Sequence, residues 1–137
     1  MILVSACLAG INCRYDGKNN IEQKVVKLVE EGKAFPICPE QLGGLPTPRS
    51  PAEISGKKVI DINGNDVTQK FVKGATETLK IAELLNCKKA ILKQNSPSCG
   101  YGRIYDGSHS DKIISGNGLT SDMLSNHNIT ILTEEDI

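Results

Sequence analysis

The chain is 137 residues long, 39% hydrophobic and 23% charged, which excludes wholesale disorder, collagen-like repeats and a pair of independently folded domains. Sixteen basic residues offset sixteen acidic ones, so there is no basic footprint for duplex nucleic acid or for an anionic membrane surface. Aromatics make up only 4% with no Trp, leaving no stacking platform for single strands, and no apolar run approaches the roughly 20 residues of a spanning helix.

In chain order, residues 1–4 form an apolar run that predicts a buried first strand. No basic segment precedes that run and no cleavage site follows it, so it does not read as a signal peptide, and the expected location is cytoplasmic. A polar loop over 5–20 follows, broken by Gly10 and Gly17. Ile21, Val25, Leu28 and Val29 then recur at helical spacing, with Asn19 or Asn20 as cap and Gly32 as stop. Residues 34–38 give a second short strand. Residues 39–51 hold four prolines and two glycines, which predicts a long shaped loop with neither helix nor central strand. Asn63-Gly64, flanked by 57–62 and 65–68, predicts a hairpin. Thr68 is placed to cap a helix carrying Phe71, Val72, Ala75, Leu79, Ala82 and Leu85 on one face. A third core strand is predicted at 90–92, a glycine-rich loop over 95–118, a helix over 119–126 and a closing strand at 129–132. No linker interrupts this series. The expected fold is a single α/β domain over 1–137, a three-layer sandwich with a mostly parallel sheet of about four strands plus a small hairpin.

Five cysteines are the most informative feature. In a reducing compartment, clustered cysteines point to metal ligation or redox chemistry more than to disulfides. Cys7 lies just past the first predicted strand, Cys38 ends the second and Cys99 follows the third. In a parallel sheet the loops after the strand carboxyl ends collect at one edge, where ligands bind. Three strands therefore deliver three thiols to one place. There is no Cys-x-x-Cys, which argues against structural zinc and against a thiol–disulfide enzyme. Three widely spaced cysteines fit an iron–sulfur cluster with one iron left open to a ligand.

Several ordered motifs then carry a resemblance: Ser5-Ala6-Cys7-Leu8-Ala9-Gly10, Cys13-Arg14-Tyr15-Asp16-Gly17, Cys38-Pro39-Glu40-Gln41-Leu42-Gly43-Gly44-Leu45, Pro48-Arg49, Gly64-Asn65-Asp66-Val67-Thr68 and Ser96-Pro97-Ser98-Cys99-Gly100. Together they resemble the small bacterial thiouracil desulfidases, a family formerly known only as a domain of unknown function, and the likeness covers nearly the whole chain. The resemblance implies a [4Fe-4S] cluster on Cys7, Cys38 and Cys99, readily lost on purification in air. It implies a small thiolated base as partner, hydrolytic C–S cleavage, and release of hydrosulfide as water oxygen replaces sulfur. It also implies that Glu40 is the acid/base group and that Ser96 assists at the substrate.

Chemistry and sequence leave alternatives open at several of these positions. Gly43 and Gly44 permit close backbone approach to a cluster or base, or simply loosen a loop. Arg14 and Arg49 neutralise an anionic cluster or bind an anionic ligand group, or form salt bridges to Asp16 or Glu53. Glu40 is otherwise a solvated loop charge and Ser96 a turn hydroxyl. Cys13 replaces one proposed ligand or pairs with Cys7 when the cluster is lost. Cys87 reads as core, and His109 and His127 as solvated or capping groups. Two readings from different classes follow: a desulfidase, or a non-catalytic iron–sulfur or sulfur-carrier protein, which would have no use for a carboxylate at Glu40. A redox protein using Cys7 and Cys13 is a third.

Overall fold

The computed structural model describes all 137 residues. In chain order the elements are β1 (Ile2–Ser5), α1 (Gln23–Glu30), β2 (Ala34–Ile37), α2 (Pro39–Leu42), β3 (Ala52–Ser55), β4 (Lys58–Asp61), α3 (Thr68–Leu84), β5 (Lys89–Leu92), β6 (Tyr101–Tyr105), β7 (Ile113–Asn117), α4 (Leu119–Asn126) and β8 (Thr130–Thr133), with 3-10 turns at Ala6–Ala9 and Glu134–Asp136. Four strands form one parallel sheet in the order β2-β1-β5-β8. Parallel sheets are covered on both faces, so their strands read as continuous apolar runs. Along β1 and β5, Leu3, Ala90 and Leu92 pack with Leu79, Ala82 and Leu124 of α3 and α4. Their neighbours Val4 and Ile91 point the other way, toward Leu8 and Val25. Helix, sheet and helix make the three expected layers.

Several sequence expectations change locally, the first being that α1 starts after Glu22 and is not capped by Asn19 or Asn20. The proline-rich stretch opens with one helical turn, α2, rather than remaining loop, because Pro39 sits at its first position, where a missing N–H costs nothing. The hairpin is β3–β4, turning at Gly56 with φ of 63°, and not at Asn63-Gly64. Asn63-Gly64 does turn the chain but leaves only an isolated Ile60–Asp66 bridge. There the Asp61 carboxylate accepts the backbone N–H groups of Asn63 and Asn65, each at 2.9 Å, and competes with a ladder. Thr68 does not cap α3. Its N–H donates to Asp66, while its hydroxyl accepts from the Val59 N–H at 2.9 Å and ties the helix to β4.

The glycine-rich span after β5 contains an antiparallel hairpin, β6–β7, with Tyr101 opposite Asn117 and Tyr105 opposite Ile113. Only Ile104 of β6 is buried and β7 has no buried residue, so no alternating pattern marked them. Ala52 and Glu53 of β3 and Tyr105 of β6 reach the cavity beyond the carboxyl edge of the main sheet.

Candidate functional site

Cys7, Cys38 and Cys99 line a single cavity of about 450 Å³ beyond the carboxyl ends of β1, β2 and β5. The Ser5 hydroxyl, at the end of β1, accepts the Lys93 N–H at 2.9 Å and stitches the exits of β1 and β5 together. Arg14, Glu40, Arg49 and Ser96 line the same cavity. Gly43 and Gly44 do not. At Gly43 an added Cβ would lie 2.0 Å from the Lys70 carbonyl oxygen, so this glycine serves the crossing of α2 on α3. Gly44 has φ of 94° and faces open space, which makes it a turn residue.

The structure adds a fourth thiol. Cys13 lines the cavity and is 2% exposed. Its carbonyl oxygen accepts from Arg49 Nη2 at 2.8 Å, and Cys38 Sγ lies 3.8 Å from the same oxygen. The nearby Cys13 S–H lowers the Cys38 thiol to a pKa of about 6, with Arg49 helping, and holds Cys7 below the ordinary thiol value. Cys13, the donor, is pushed up by the same contacts with Cys38 and Cys7. Burial drives Cys99 up to about 12. Cys87 lies in the core beside α3 and α4, away from the cavity.

The Glu40 carboxylate is held at both oxygens. Arg49 Nε donates to Oε1 at 2.9 Å, and the Ser98 hydroxyl donates to Oε2 at 3.0 Å. The Arg49 side chain is only 6% exposed and that of Glu40 16%, so Glu40 is not a solvated loop charge and Arg49 pairs with it rather than with Glu53. Arg14 does pair with Asp16, at 2.9 Å, and donates to Asn20 Oδ1 at 2.8 Å. The Ser96 hydroxyl accepts the backbone N–H groups of Ser98 and Cys99, both at 3.1 Å. It is thus a turn hydroxyl and a cavity-wall group at once.

Ser98, Lys93 and His109 are wall residues that sequence reasoning did not place at the site, His109 having been read as a solvated or capping group. Ser98 stands between Ser96 and Cys99 in a motif already singled out, so its spacing was the available signal. Lys93 pairs with Glu134 at 2.8 Å. His109 is not a freely solvated side chain: its Nδ1 lies 3.6 Å from Glu53 Oε2, joining the β6–β7 tip to β3. His127 does cap, with Nδ1 2.8 Å from the Met123 carbonyl at the end of α4.

No three His, Cys, Asp or Glu side chains close around one point tightly enough for a single metal ion. A cubane makes a different demand, because each thiolate binds a different iron and the ligands spread around a larger body. Two buried thiols, Cys7 and Cys99, and the half-buried Cys38, reaching one roomy cavity from three separate strand ends, are a donor set suited to that group.

Comparison with known proteins follows the same line. A family model described as 2-thiouracil desulfurase matches residues 2–136. The chain is 45% identical over 147 aligned positions to YbbK, an uncharacterized protein of Bacillus subtilis (strain 168), covering 100% of this chain and 97% of that protein. A solved structure of the [4Fe-4S]-dependent thiouracil desulfidase TudS superposes with a TM-score of 0.95 at 42% identity, covering 99% of this chain and 91% of that one. One model spanning almost every residue, and a fold shared to both ends, leave a single assignment: this chain belongs to the 2-thiouracil desulfurase family.

Proposed function

We propose that the protein is a [4Fe-4S]-dependent desulfidase that removes sulfur from a thiolated pyrimidine base, releases hydrosulfide and installs water oxygen in its place. The observation that carries this reading is Glu40: a carboxylate clamped by Arg49 and Ser98 in the wall of the cavity that holds the three cysteines. Family membership and the [4Fe-4S]-dependent neighbour support the cofactor and the substrate class. Cys7, Cys38 and Cys99 would hold the cluster, which supplies a Lewis-acidic iron for soft sulfur.

The remaining work falls to the chain. Arg49 and Ser98 keep the Glu40 carboxylate aimed into the cavity. From there it takes a proton from the water that attacks the ring carbon, and returns it as the C–S bond breaks. Water supplies the oxygen and two protons, one leaving on the hydrosulfide and one passing to solvent, so the conversion of C=S to C=O balances without an oxidant or reductant. Ser96, on the same wall, assists through the 3.0 Å hydrogen bond between its hydroxyl and that of Ser98.

The test is anaerobic reconstitution with iron and sulfide, followed by a screen of thiolated pyrimidines as bases, nucleosides and nucleotides. Hydrosulfide release and loss of thiobase absorbance are the readouts. At equal iron content, Glu40→Gln is expected to lose ~10²–10⁴ in rate, the usual contribution of a positioned acid/base. If Glu40→Gln matches wild type, the non-catalytic sulfur-carrier reading replaces this one.

A further inference from the structure

We propose that Ser98 is a positioning residue that joins Ser96 and Glu40 into one directed hydrogen-bond chain, and so sets the orientation of the Glu40 carboxylate; the functional meaning of this rests on the desulfidase reading above. The direction follows from counting protons and lone pairs. A serine hydroxyl has one proton and two lone pairs. Both lone pairs of Ser96 Oγ are engaged by the N–H groups of Ser98 and Cys99. Ser96 therefore donates across the 3.0 Å that separates the two hydroxyls, and Ser98 accepts. The single Ser98 proton then has two candidate acceptors. Glu40 Oε2 lies at 3.0 Å and is a carboxylate, whereas Cys99 Sγ lies at 3.7 Å and is a weak acceptor. The chain runs Ser96 to Ser98 to Glu40.

Ser98 is also the best-fixed member. It is 2% exposed, so its hydroxyl has little access to bulk solvent. Its carbonyl oxygen accepts the N–H groups of Thr120 and Ser121 at 2.8 and 3.2 Å, from the first turn of α4. Gly118 approaches so closely that an added Cβ would lie 2.4 Å from the Ser98 carbonyl carbon. A rigid element thus places this hydroxyl, and the hydroxyl places the carboxylate. Arg49 grips only Oε1, leaving rotation about that contact open unless Ser98 closes it.

The experiment compares reconstituted wild type, Ser98→Ala, Glu40→Gln and the double variant, with 2-thiouracil as substrate. Iron content and the visible spectrum are recorded beside kcat and KM, and crystal structures of wild type and Ser98→Ala are compared. The expected result is unchanged iron loading, a KM within about threefold, and a kcat lower by roughly ten- to a hundredfold, the scale of a misplaced reactive group. In the Glu40→Gln background the same change should cost little more, because the two residues act as a unit. In the Ser98→Ala crystal the Glu40 carboxylate should leave its wild-type position. Four results each overturn the proposal: wild-type kcat in Ser98→Ala, an undiminished further loss in the double variant, loss of iron, which would make Ser98 a support for Cys99, or an unmoved Glu40. If wild type itself turns over no thiolated pyrimidine, the desulfidase reading falls, and the crystal comparison still decides whether Ser98 sets Glu40.

Discussion

Among single residues, Asp61 shows how one carboxylate can hold a turn and write a pH dependence. It accepts the N–H groups of Asn63 and Asn65 and the Asn65 side-chain amide, and these bonds, the Asn65 backbone first, hold its carboxyl below the usual carboxylate range. A depressed folded value means that the stabilisation is complete above the unfolded value of about 3.9 and is lost as pH falls through the lower, folded one. Asp61→Ala should therefore melt a few degrees below wild type at neutral pH, and the gap should narrow on acidification below about pH 4; a gap independent of pH would remove this role. The residues of the site were unequally legible for a related reason. Arg14 pairs with Asp16, two residues along the same turn, and short spacing of that kind is readable. Arg49 pairs with Glu40 because the chain between them folds back through a proline-rich loop, whose path no local pattern encodes. Which of Ser96 and Ser98 meets Glu40 likewise depends on the turn geometry over 96–99, not on residue type.

At the scale of elements, the site depends on how α2 is seated, since that single turn carries Glu40 two residues beyond Cys38. It is seated on α3 by two glycines facing each other. A Cβ on Gly43 would lie 2.0 Å from the Lys70 carbonyl oxygen, and one on Gly74 would lie 2.0 Å from that of Pro39. Both obstacles are backbone and cannot swing aside. Gly74→Ala should then force α2 off α3 despite the better helix propensity of alanine, at a cost of about 1–3 kcal/mol for overpacking. Thermal denaturation measures that cost, and a variant as stable as wild type would show that the helices can separate freely. Elements with dense local signals were plain from sequence: the strands at β1, β2, β5 and β8 through their apolar runs, and α4 through its bounds. The β6–β7 hairpin was hidden because most of its side chains stand in solvent, so alternation gives no clue. The one-turn α2 was hidden because four residues cannot display a period.

For the molecule as a whole, the parallel topology is what turns residues 7, 38 and 99 into neighbours of one cavity, and that much followed from strand exits alone. The position of Cys13 did not, since it arrives there through the irregular loop after β1 and ends beside the Cys7 and Cys38 thiols. The ligand set is decided by iron loading of single variants. Anaerobically reconstituted wild type should bind about four irons per chain through thiolates. It should also melt higher than the apo protein, because a cluster held only by the folded state stabilises that state. Cys7→Ala, Cys38→Ala and Cys99→Ala should each lose both the iron and the thermal shift. Cys87→Ala should keep them, since that thiol is buried between the sheet and α3 and never reaches the cavity. Cys13→Ala should also load iron, because the three strand-end thiols suffice for a cluster with one open iron. Should Cys13→Ala lose the iron while one of the other three retains it, Cys13 takes that residue's place. The cavity and the family assignment would stand, but the open iron would then face a different wall, and the distance from it to Glu40 would have to be measured afresh.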